Sequence, residues 1–176
     1  MLVVQCGFAL PVANAHRHDV CCAVVVTTAV SRFLRFGLFR GSHVAELGRA
    51  NIDEGRLVQA ISNLLSNARQ HGDLRFPIRI NAFRARSEQR IEISNRLAAG
   101  QHFLPGAMTS PLKPSSAVNA RNKTGLGLGL YIANAIVGGH DGELKSQCVG
   151  GEVTFSIVLN SVNSDASEVG TIAICA

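Results

Sequence analysis

The clearest pattern in the chain is a helical alternation of apolar and polar side chains in LVQAISNLLSNARQHGD, residues 57–73. The apolar residues recur at intervals of three and four, the spacing that brings side chains onto one face of an α-helix. This spacing predicts a buried stripe made of Leu57, Ile61, Leu64, Leu65 and Ala68. Asn51 and Glu54 are spaced as a capping box, so we expect the helix to begin there and to run to about His71.

The polar face of this predicted helix carries four amide side chains, those of Gln59, Asn63, Asn67 and Gln70. Amides cost free energy in a protein interior unless they find hydrogen-bond partners, and a bound ligand can provide them. An amide oxygen also suits a Mg²⁺ ion that keeps several waters and bridges phosphate oxygens, and Asn67 is the first choice for that role. The alternative is an ordinary amphipathic helix whose amides face water.

A second pattern is the alternation of glycine and leucine in TGLGLGL, residues 124–130. A helix is expected to follow directly, with an apolar stripe made of Leu128, Ile132, Ala135 and Ile136. Glycines leave backbone N–H groups uncovered, and the positive N-terminal end of the helix would point toward them, which favours an anion such as phosphate. Lys123 and Arg121 could neutralise phosphate charge, or they are simply solvated.

The remaining apolar pattern predicts short strands. The expected strands, in chain order, are residues 77–83, 90–94, 143–147 and 151–159. Polar residues 84–89 join the first two, and Asp141 with Gly142 lead into a hairpin formed by the last two. A proline-containing connection, residues 101–123, is long enough to be a functional lid or a loop without fixed structure. Together these elements predict an α+β fold, a two-layer sandwich with a mixed, mostly antiparallel sheet and helices on one face.

Two common phosphate-binding motifs do not fit the glycine run. The chain contains no GxxxxGK[ST] sequence, and the spacing of Gly125, Gly127 and Gly129 is not GxGxxG. The preceding residues 119–124 are polar and lack the pattern of a strand, which argues against a dinucleotide-binding fold. Paired with the amide helix, in this order along the chain, the glycine run is a stronger signal than it is alone.

These two segments together resemble the catalytic, ATP-binding domain of bacterial sensor histidine kinases, part of the ATPase superfamily that includes gyrase and Hsp90-type chaperones. The resemblance covers roughly residues 53–159 and implies the Bergerat-type ATP-binding fold. The family's N box, NLLxNA, is matched by Asn63-Leu64-Leu65-Ser66-Asn67-Ala68. The second asparagine of the box ligates Mg²⁺ in the family, which implies that role for Asn67. Asn63 stands where gyrase-type relatives carry a catalytic glutamate, and an amide cannot act as a general base, so this position fits an enzyme that does not activate water.

The resemblance assigns further residues to the nucleotide. It makes the glycine-leucine run the second glycine box, followed by the typical YIANAIV helix and a His-x-Gly turn at His140 and Gly142. Thr154 resembles the strand hydroxyl that helps to recognise adenine. Asn63 and Asn67 are the expected catalytic residues, and Asn67 is the expected metal ligand. The expected nucleotide-binding residues are Asn63, Asn67, Gln70, Asn95, Lys123, Gly125, Leu126, Gly127, Leu128, Gly129, Leu130 and Thr154.

The chain departs from the family at the first glycine box. Asn95-Arg96-Leu97-Ala98-Ala99-Gly100 stands where DxGxGI or NxGxPI is usual, so only Asn95 is retained. The carbonyl oxygen of Asn95 can still accept a hydrogen bond from the adenine amino group. Leu97 replaces a glycine, and a branched side chain resists a positive φ. Phe103 is the one remnant of the phenylalanine-centred box that usually lies between the glycine boxes.

The resemblance also implies transfer of phosphate to a histidine on a two-helix dimerisation element. Neither His16-Arg17-His18-Asp19 nor His43 stands in the usual His-Asp/Glu-x-Arg setting, and residues 21–30 are rich in β-branched side chains without a heptad. We therefore expect the histidine-bearing dimerisation domain on another chain or on a segment missing from this one. A response regulator would be the indirect partner.

Composition narrows the class of protein. The chain has 176 residues, of which 47% are hydrophobic and 16% charged, enough for one buried core. The net charge of +5 favours acidic partners, but the chain has one Tyr and no Trp to stack bases, so nucleic acid is not an expected partner. Five cysteines without a CxxC fit a reducing cytoplasm rather than a disulfide framework. The apolar run of residues 20–30 is too short to span a bilayer, so no membrane span is expected.

The sequence therefore predicts three segments and one leading function. Residues 1–50 are a divergent or truncated N-terminal segment, residues 51–160 the ATP-binding domain with residues 101–123 as its lid, and residues 161–176 a tail. The leading hypothesis is binding of ATP with Mg²⁺ and transfer of the γ-phosphate to a histidine. The alternatives are a non-catalytic regulatory module with a degenerate nucleotide site and an anti-sigma-factor-like serine kinase.

Overall fold

The computed structural model describes residues 17–33, 43–44, 47–103, 128–161 and 172–173. The helices in this part of the chain are α1 (Cys22–Ser31), α2 (Glu54–His71) and α3 (Gly129–Gly138). The strands are β1 (His18–Cys21), β2 (His43–Val44), β3 (Arg49–Ile52), β4 (Arg79–Ala85), β5 (Glu88–Arg96), β6 (Glu143–Val149), β7 (Glu152–Asn160) and β8 (Ile172–Ala173).

Six of these strands form one sheet in the order β6-β7-β5-β4-β2-β8. Every neighbouring pair is antiparallel except β2 and β4, which run parallel. A separate antiparallel ribbon is made by β1 and β3. The predicted α+β fold, with a mixed and mostly antiparallel sheet, is confirmed.

The two faces of the six-stranded sheet differ in chemistry because side chains alternate along each strand. Along β5, Ile91 and Ile93 are fully buried, and in the cross-strand register they lie opposite Ile157 and Phe155 of β7, which are buried too. The intervening residues of β5 and β7 form the other face, where Arg79 of β4 pairs with Glu152 of β7. Helices α2 and α3 therefore cover the face of the sheet that carries the buried side chains of β5 and β7.

The α2 helix has the predicted buried stripe, because Leu57, Ile61, Leu64, Leu65 and Ala68 are all fully buried. Its predicted start is wrong in one respect. Asp53 caps the helix, and its Oδ1 accepts a hydrogen bond of 3.0 Å from the backbone N–H of Arg56. Asn51 lies inside β3 instead, where it pairs with Asp19 of β1 and so cannot adopt the capping position.

The α3 helix begins where the glycine run predicts, but its buried face is rotated from the predicted stripe. Ala133, Ile136 and Val137 are buried, whereas Ile132 and Ala135 are only half-buried. The helix is apolar nearly all round, so spacing alone does not select a face. Contacts with α2 on one side and with β6 and β7 on the other set its orientation.

The turns follow local backbone requirements. Arg86, with φ of 58°, lies in the turn between β4 and β5, and Asp141, with φ of 56°, leads α3 into β6. The hairpin of β6 and β7 turns at Gly150 and Gly151, with φ of 59° and 80°. Two consecutive positive φ values favour glycine, which explains the pair of glycines at this tip.

The N-terminal segment contributes to the same hydrophobic core. On α1, Cys22, Val25, Val26, Ala29 and Val30 are fully buried and belong to the cluster that also contains the apolar stripe of α2. The predicted boundary near residue 50 therefore does not separate two hydrophobic cores, because α1 and α2 share one. In the part of the chain that the structure describes, no helix is both long enough and apolar enough to cross a membrane.

Candidate nucleotide-binding site

Asn63 and Asn67 lie one helical turn apart on α2, so their side chains share a face of the helix. Both are half-buried. The Nδ2 atom of Asn63 is buried and makes no hydrogen bond to any residue that the structure describes, and the same holds for Oγ of the neighbouring Ser62. Buried polar atoms in native proteins nearly always have a partner, so unpaired atoms at this point indicate a place for a ligand.

The N-terminus of α3 lies directly against Asn63. A Cβ atom placed on Gly129 would be 3.9 Å from Cβ of Asn63, so the two backbones approach closely there. The first hydrogen bond within α3 runs from the N–H of Ile132 to the carbonyl of Leu128, which leaves the N–H groups of the first turn without helical partners. Within the described part of the chain, the N-cap residue Leu128 makes no side-chain hydrogen bond to this end, and the first turn contains no acidic residue. A positive helix end therefore faces the amide pair.

The other end of α2 approaches Asn95 on β5. A Cβ atom on Gly72 would collide with the carbonyl oxygen of Ala68 and would lie 3.1 Å from Nδ2 of Asn95, so glycine permits this close approach. Asn95 is 4% exposed, and its Nδ2 donates a hydrogen bond of 3.3 Å to the carbonyl of Arg96. Asn95 thus lies on the helix-covered side of the sheet, the same side as Asn63 and Asn67.

Leu97 does not adopt the strained backbone that a glycine position would require. The non-glycine residues with positive φ, in the described segments, are Arg86 and Asp141, so Leu97 is not one of them. Its N–H donates to the carbonyl of Gly151 at 2.9 Å, and the residue pairs with Gly72 as an antiparallel bridge. The altered first glycine box therefore extends the strand pairing of β5 by one residue, and the bridge between Leu97 and Gly72 connects the end of β5 to the end of α2.

Thr154 is not placed with Asn95. In the register of β5 and β7, Thr154 lies opposite Ser94, and their hydroxyl oxygens are 2.9 Å apart. Asn95 lies opposite Val153. Because neighbouring residues of a strand point to opposite faces, Thr154 is on the face of the sheet away from the helices, and its expected contact with adenine is not supported.

The remaining predicted residues fall into two groups. Leu128 and Leu130 are half-buried at the start of α3, and Gln70 is exposed near the end of α2. The second group, Lys123, Gly125, Leu126 and Gly127, lies outside the described residues. Residues 104–123 of the predicted lid lie outside them as well. Phe103, at the start of that loop, packs edge-on against Phe155 with ring centroids 6.1 Å apart.

His140 joins the two helices that form the site. The backbone N–H of Asp53, at the cap of α2, donates to Nε2 of His140 at 2.9 Å. Since Nε2 accepts, the hydrogen is on Nδ1, which donates to the carbonyl of Ile136 at 2.7 Å. The sequence singled out this histidine only as part of a turn. Its buried position, 7% exposed, makes it a fixed link between α2 and α3.

The turn after α2 is held by Asp73 and Arg75. Hydrogen bonds from the side chain of Arg75 to Asp73 lower the pKa of Asp73 to about 2. The backbone N–H of Asp73 also donates to the carbonyl of Arg96 at 2.8 Å. Asp73 therefore stays ionised at neutral pH and helps to hold the end of α2 against β5.

The side chains on α2 fit a hard cation bound to phosphate. Asn67 offers an amide oxygen from a half-buried position, and amide or carboxylate oxygens are the usual protein ligands of Mg²⁺, which keeps several of its waters. The unpaired Nδ2 of Asn63 is a donor and suits a phosphate oxygen rather than a metal. The geometry thus provides an oxygen for a cation and N–H donors for an anion along one helix face.

Residues 52–163 match the family described as Histidine kinase-, DNA gyrase B-, and HSP90-like ATPase. The chain is 36% identical over 111 residues to the bacteriophytochrome of Pseudomonas aeruginosa, which is 63% of this chain and 15% of that protein. It therefore spans only a small part of this relative.

Solved structures resemble the fold. The catalytic domain of histidine kinase ThkA superposes with a TM-score of 0.68 and 19% identity, covering 83% of this chain and 96% of that one. The histidine kinase domain of the Escherichia coli osmosensor EnvZ superposes with a TM-score of 0.61 and 16% identity, covering 90% and 96%.

Proposed function

The chain belongs to the histidine kinase-, DNA gyrase B- and HSP90-like ATPase family, as an ATP-binding catalytic domain of the sensor histidine kinase type, and from this premise we propose its reaction. The domain binds ATP with Mg²⁺ between α2 and α3 and transfers the γ-phosphate to a histidine. The observation that carries the proposal is the unpaired Nδ2 of Asn63 beside the open N-terminus of α3.

Asn67 would hold the Mg²⁺ ion through its amide oxygen. The ion, when bound, neutralises charge on the phosphates and orients them. Asn63 donates from Nδ2 to a phosphate oxygen, and the free N–H groups at the start of α3 do the same. Asn63 does not accept a proton from water, because an amide is not a base, so the nucleophile is a histidine rather than a water molecule.

The adenine end of the nucleotide lies near Asn95, at the opposite end of α2 from the N-cap. Its side-chain carbonyl oxygen accepts from the adenine amino group. Gly125, Gly127 and Lys123, which lie outside the described residues, would complete the phosphate contacts under this proposal, and residues 101–123 would act as a lid that excludes water. Catalysis under this proposal consists of positioning and charge neutralisation.

The phosphoacceptor lies on a dimerisation element that is not identified in this chain. The sequence relative is much longer than the match, since the chain covers 15% of it. A separate segment or chain therefore supplies the histidine, and a response regulator receives the phosphate in turn. The activity belongs to the cytoplasm, where thiols such as those of Cys21 and Cys22 stay reduced.

The proposal is tested by removing the metal ligand. Asn67→Ala should abolish binding of Mg-ATP in a calorimetric titration, because alanine removes the amide oxygen that is the proposed protein ligand of the ion. The circular dichroism spectrum should be unchanged, since Asn67 is not part of the apolar stripe. Ser66→Ala, an exposed neighbour on the same helix, is the matched control and should bind as the wild type does. Unchanged affinity in Asn67→Ala would remove Asn67 from this role.

A second candidate is a regulatory module that uses the fold for protein contacts. The pairing of Leu97 with Gly72 and the burial of Asn95 favour it, because both reduce the room for adenine at that end of α2. A domain of this kind would show no change in stability with nucleotide. Thermal unfolding measured with and without Mg-ATP separates the two candidates, because only a nucleotide-binding domain gains stability from the ligand.

A further inference from the structure

A cavity of about 320 Å³ lies between α1 and α2, next to the proposed phosphate site. Asn63 is part of its wall, and Ser62 and Gln59 continue that wall along α2. Thr28 and Arg32 line it from α1. These two residues come from outside residues 52–163, the region that matches the family.

The order of groups along α2 places this cavity beyond the terminal phosphate. Asn95, for the base, lies by Gly72 at the C-terminal end of the helix, Asn67 comes next for the metal, and Asn63 follows at the N-terminus of α3. The base-to-phosphate direction therefore runs toward the N-terminus of α2. The next residue on this face is Gln59, one turn further on, and it already lines the cavity.

The cavity carries two charged side chains of opposite sign. Arg32, at the C-terminal cap of α1, is exposed and has no ion-pair partner within the described segments. Glu54, in the first turn of α2, lines the cavity as well. Because these two side chains do not pair with each other, an anion in the cavity would be attracted by Arg32 and repelled by Glu54.

We propose that Arg32 positions the terminal phosphate of the bound nucleoside triphosphate from this cavity, and that Glu54 opposes it. The inference rests on the proposed function and adds to it a cation from a segment outside the family region. ATP carries a terminal phosphate that ADP lacks, so Arg32 favours ATP over ADP. The carboxylate of Glu54 repels the same group and limits this preference.

The experiment measures the affinities of Mg-ATP and Mg-ADP for the full chain by calorimetry at low salt. Arg32→Gln should reduce the preference for ATP by about threefold to tenfold, the effect of one charge several ångströms away in a partly aqueous site. Arg32→Lys should retain most of the preference because the charge remains. Glu54→Gln should increase the preference, and the effects of both charges should shrink as salt is added.

Arg56→Gln is the matched control, because Arg56 is an exposed arginine of α2 that does not line the cavity. It should leave the ATP-to-ADP ratio unchanged. The inference is overturned if Arg32→Gln leaves the ratio unchanged or weakens both nucleotides equally. An overturning result for Arg32→Gln leaves the proposed function intact if the wild type binds both nucleotides and Asn67→Ala binds neither. If the wild type binds no nucleotide, both proposals are overturned.

Discussion

At the scale of single residues, the site depends on which polar atoms are left without partners. The Nδ2 atom of Asn63 has no hydrogen-bond partner among the residues that the structure describes. In contrast, the fully buried amide of Gln89, on the helix-covered face of the sheet, is satisfied at both its oxygen and its nitrogen. Its Oε1 accepts from the N–H of Gly48 at 2.9 Å, and its Nε2 donates to Ser161 at 3.0 Å. Gln89 is therefore a structural link, and Asn63 is available to a ligand.

Cys22 provides a test of how α1 is packed. Burial raises the pKa of its thiol from 9.0 to about 12, with smaller contributions from Cys21 and Asp19. Because the thiolate is the reactive form, Cys22 should be alkylated about a thousandfold more slowly than an ordinary exposed thiol at pH 8. Iodoacetamide labelling followed by peptide mass spectrometry measures this rate, with the exposed Cys148 as the internal reference.

The sign of the pH effect follows from the raised pKa. The fold favours the neutral thiol, so the contribution of Cys22 to stability is complete below pH 9.0 and is lost as the pH rises toward about 12. In urea the two cysteines should label at similar rates. Equal rates for Cys22 and Cys148 in the native protein would show that α1 is not packed as described.

Side-chain chemistry makes Asn63 and Asn67 candidate site residues from the sequence alone, whereas the sheet face on which a strand residue lies depends on the strand register. Asn63 and Asn67 stand out because amides on a helix face need partners. The family resemblance predicts Thr154 beside adenine. A shift of one residue in strand register moves every side chain of the strand to the other face of the sheet. Thr154 pairs with Ser94 rather than with Asn95, and this register puts it on the face away from the helices. The register of β7 depends on its pairing with both β5 and β6, so the sequence of β7 alone does not specify which residue lies opposite Thr154.

At the scale of elements, α1 shows tertiary packing overriding local preference. Its sequence, CAVVVTTAVS, is rich in β-branched residues, which favour strands, and it contains no heptad pattern. Its apolar side chains, except that of the exposed Val24, are nevertheless buried in one core with α2. Burial of each buried Val contributes about 1.5–3 kcal/mol, which exceeds its helix-propensity penalty of less than about 1 kcal/mol.

The link between α2 and α3 makes a second prediction at this scale. His140→Ala should lower the free energy of unfolding by about 1–3 kcal/mol, because the N–H of Asp53 and the carbonyl of Ile136 both lose their partner. Urea denaturation measures the change. His102→Ala, at an exposed histidine, is the control and should stay within about 0.5 kcal/mol of the wild type.

If His140→Ala is as stable as the wild type, the imidazole does not fix α2 against α3. A loss of nucleotide affinity in a folded His140→Ala protein would have a separate meaning. It would show that the relative position of Asn63 and the N-terminus of α3 depends on this link, since both lie on the helices that His140 connects.

At the scale of the whole molecule, the fold was largely predictable because its strands and α2 carry strong periodic patterns. The α+β class, the extent of α2 to His71 and the four longer strands of the sheet are as predicted within a few residues. The strand order, and the inclusion of α1 in the core, were not predictable. Both depend on contacts between segments distant in the chain, which no local pattern reports.

If α2 and α3 together bind Mg-ATP, the ligand stabilises the folded wild-type chain, and thermal unfolding measures this gain. At an ATP concentration of about one hundred times the dissociation constant, with Mg²⁺ present, we expect a gain of about 2.7 kcal/mol in the free energy of unfolding. Removing the metal with EDTA should abolish most of this gain. An unfolding transition that is the same with and without Mg-ATP would show that α2 and α3 do not form a nucleotide site.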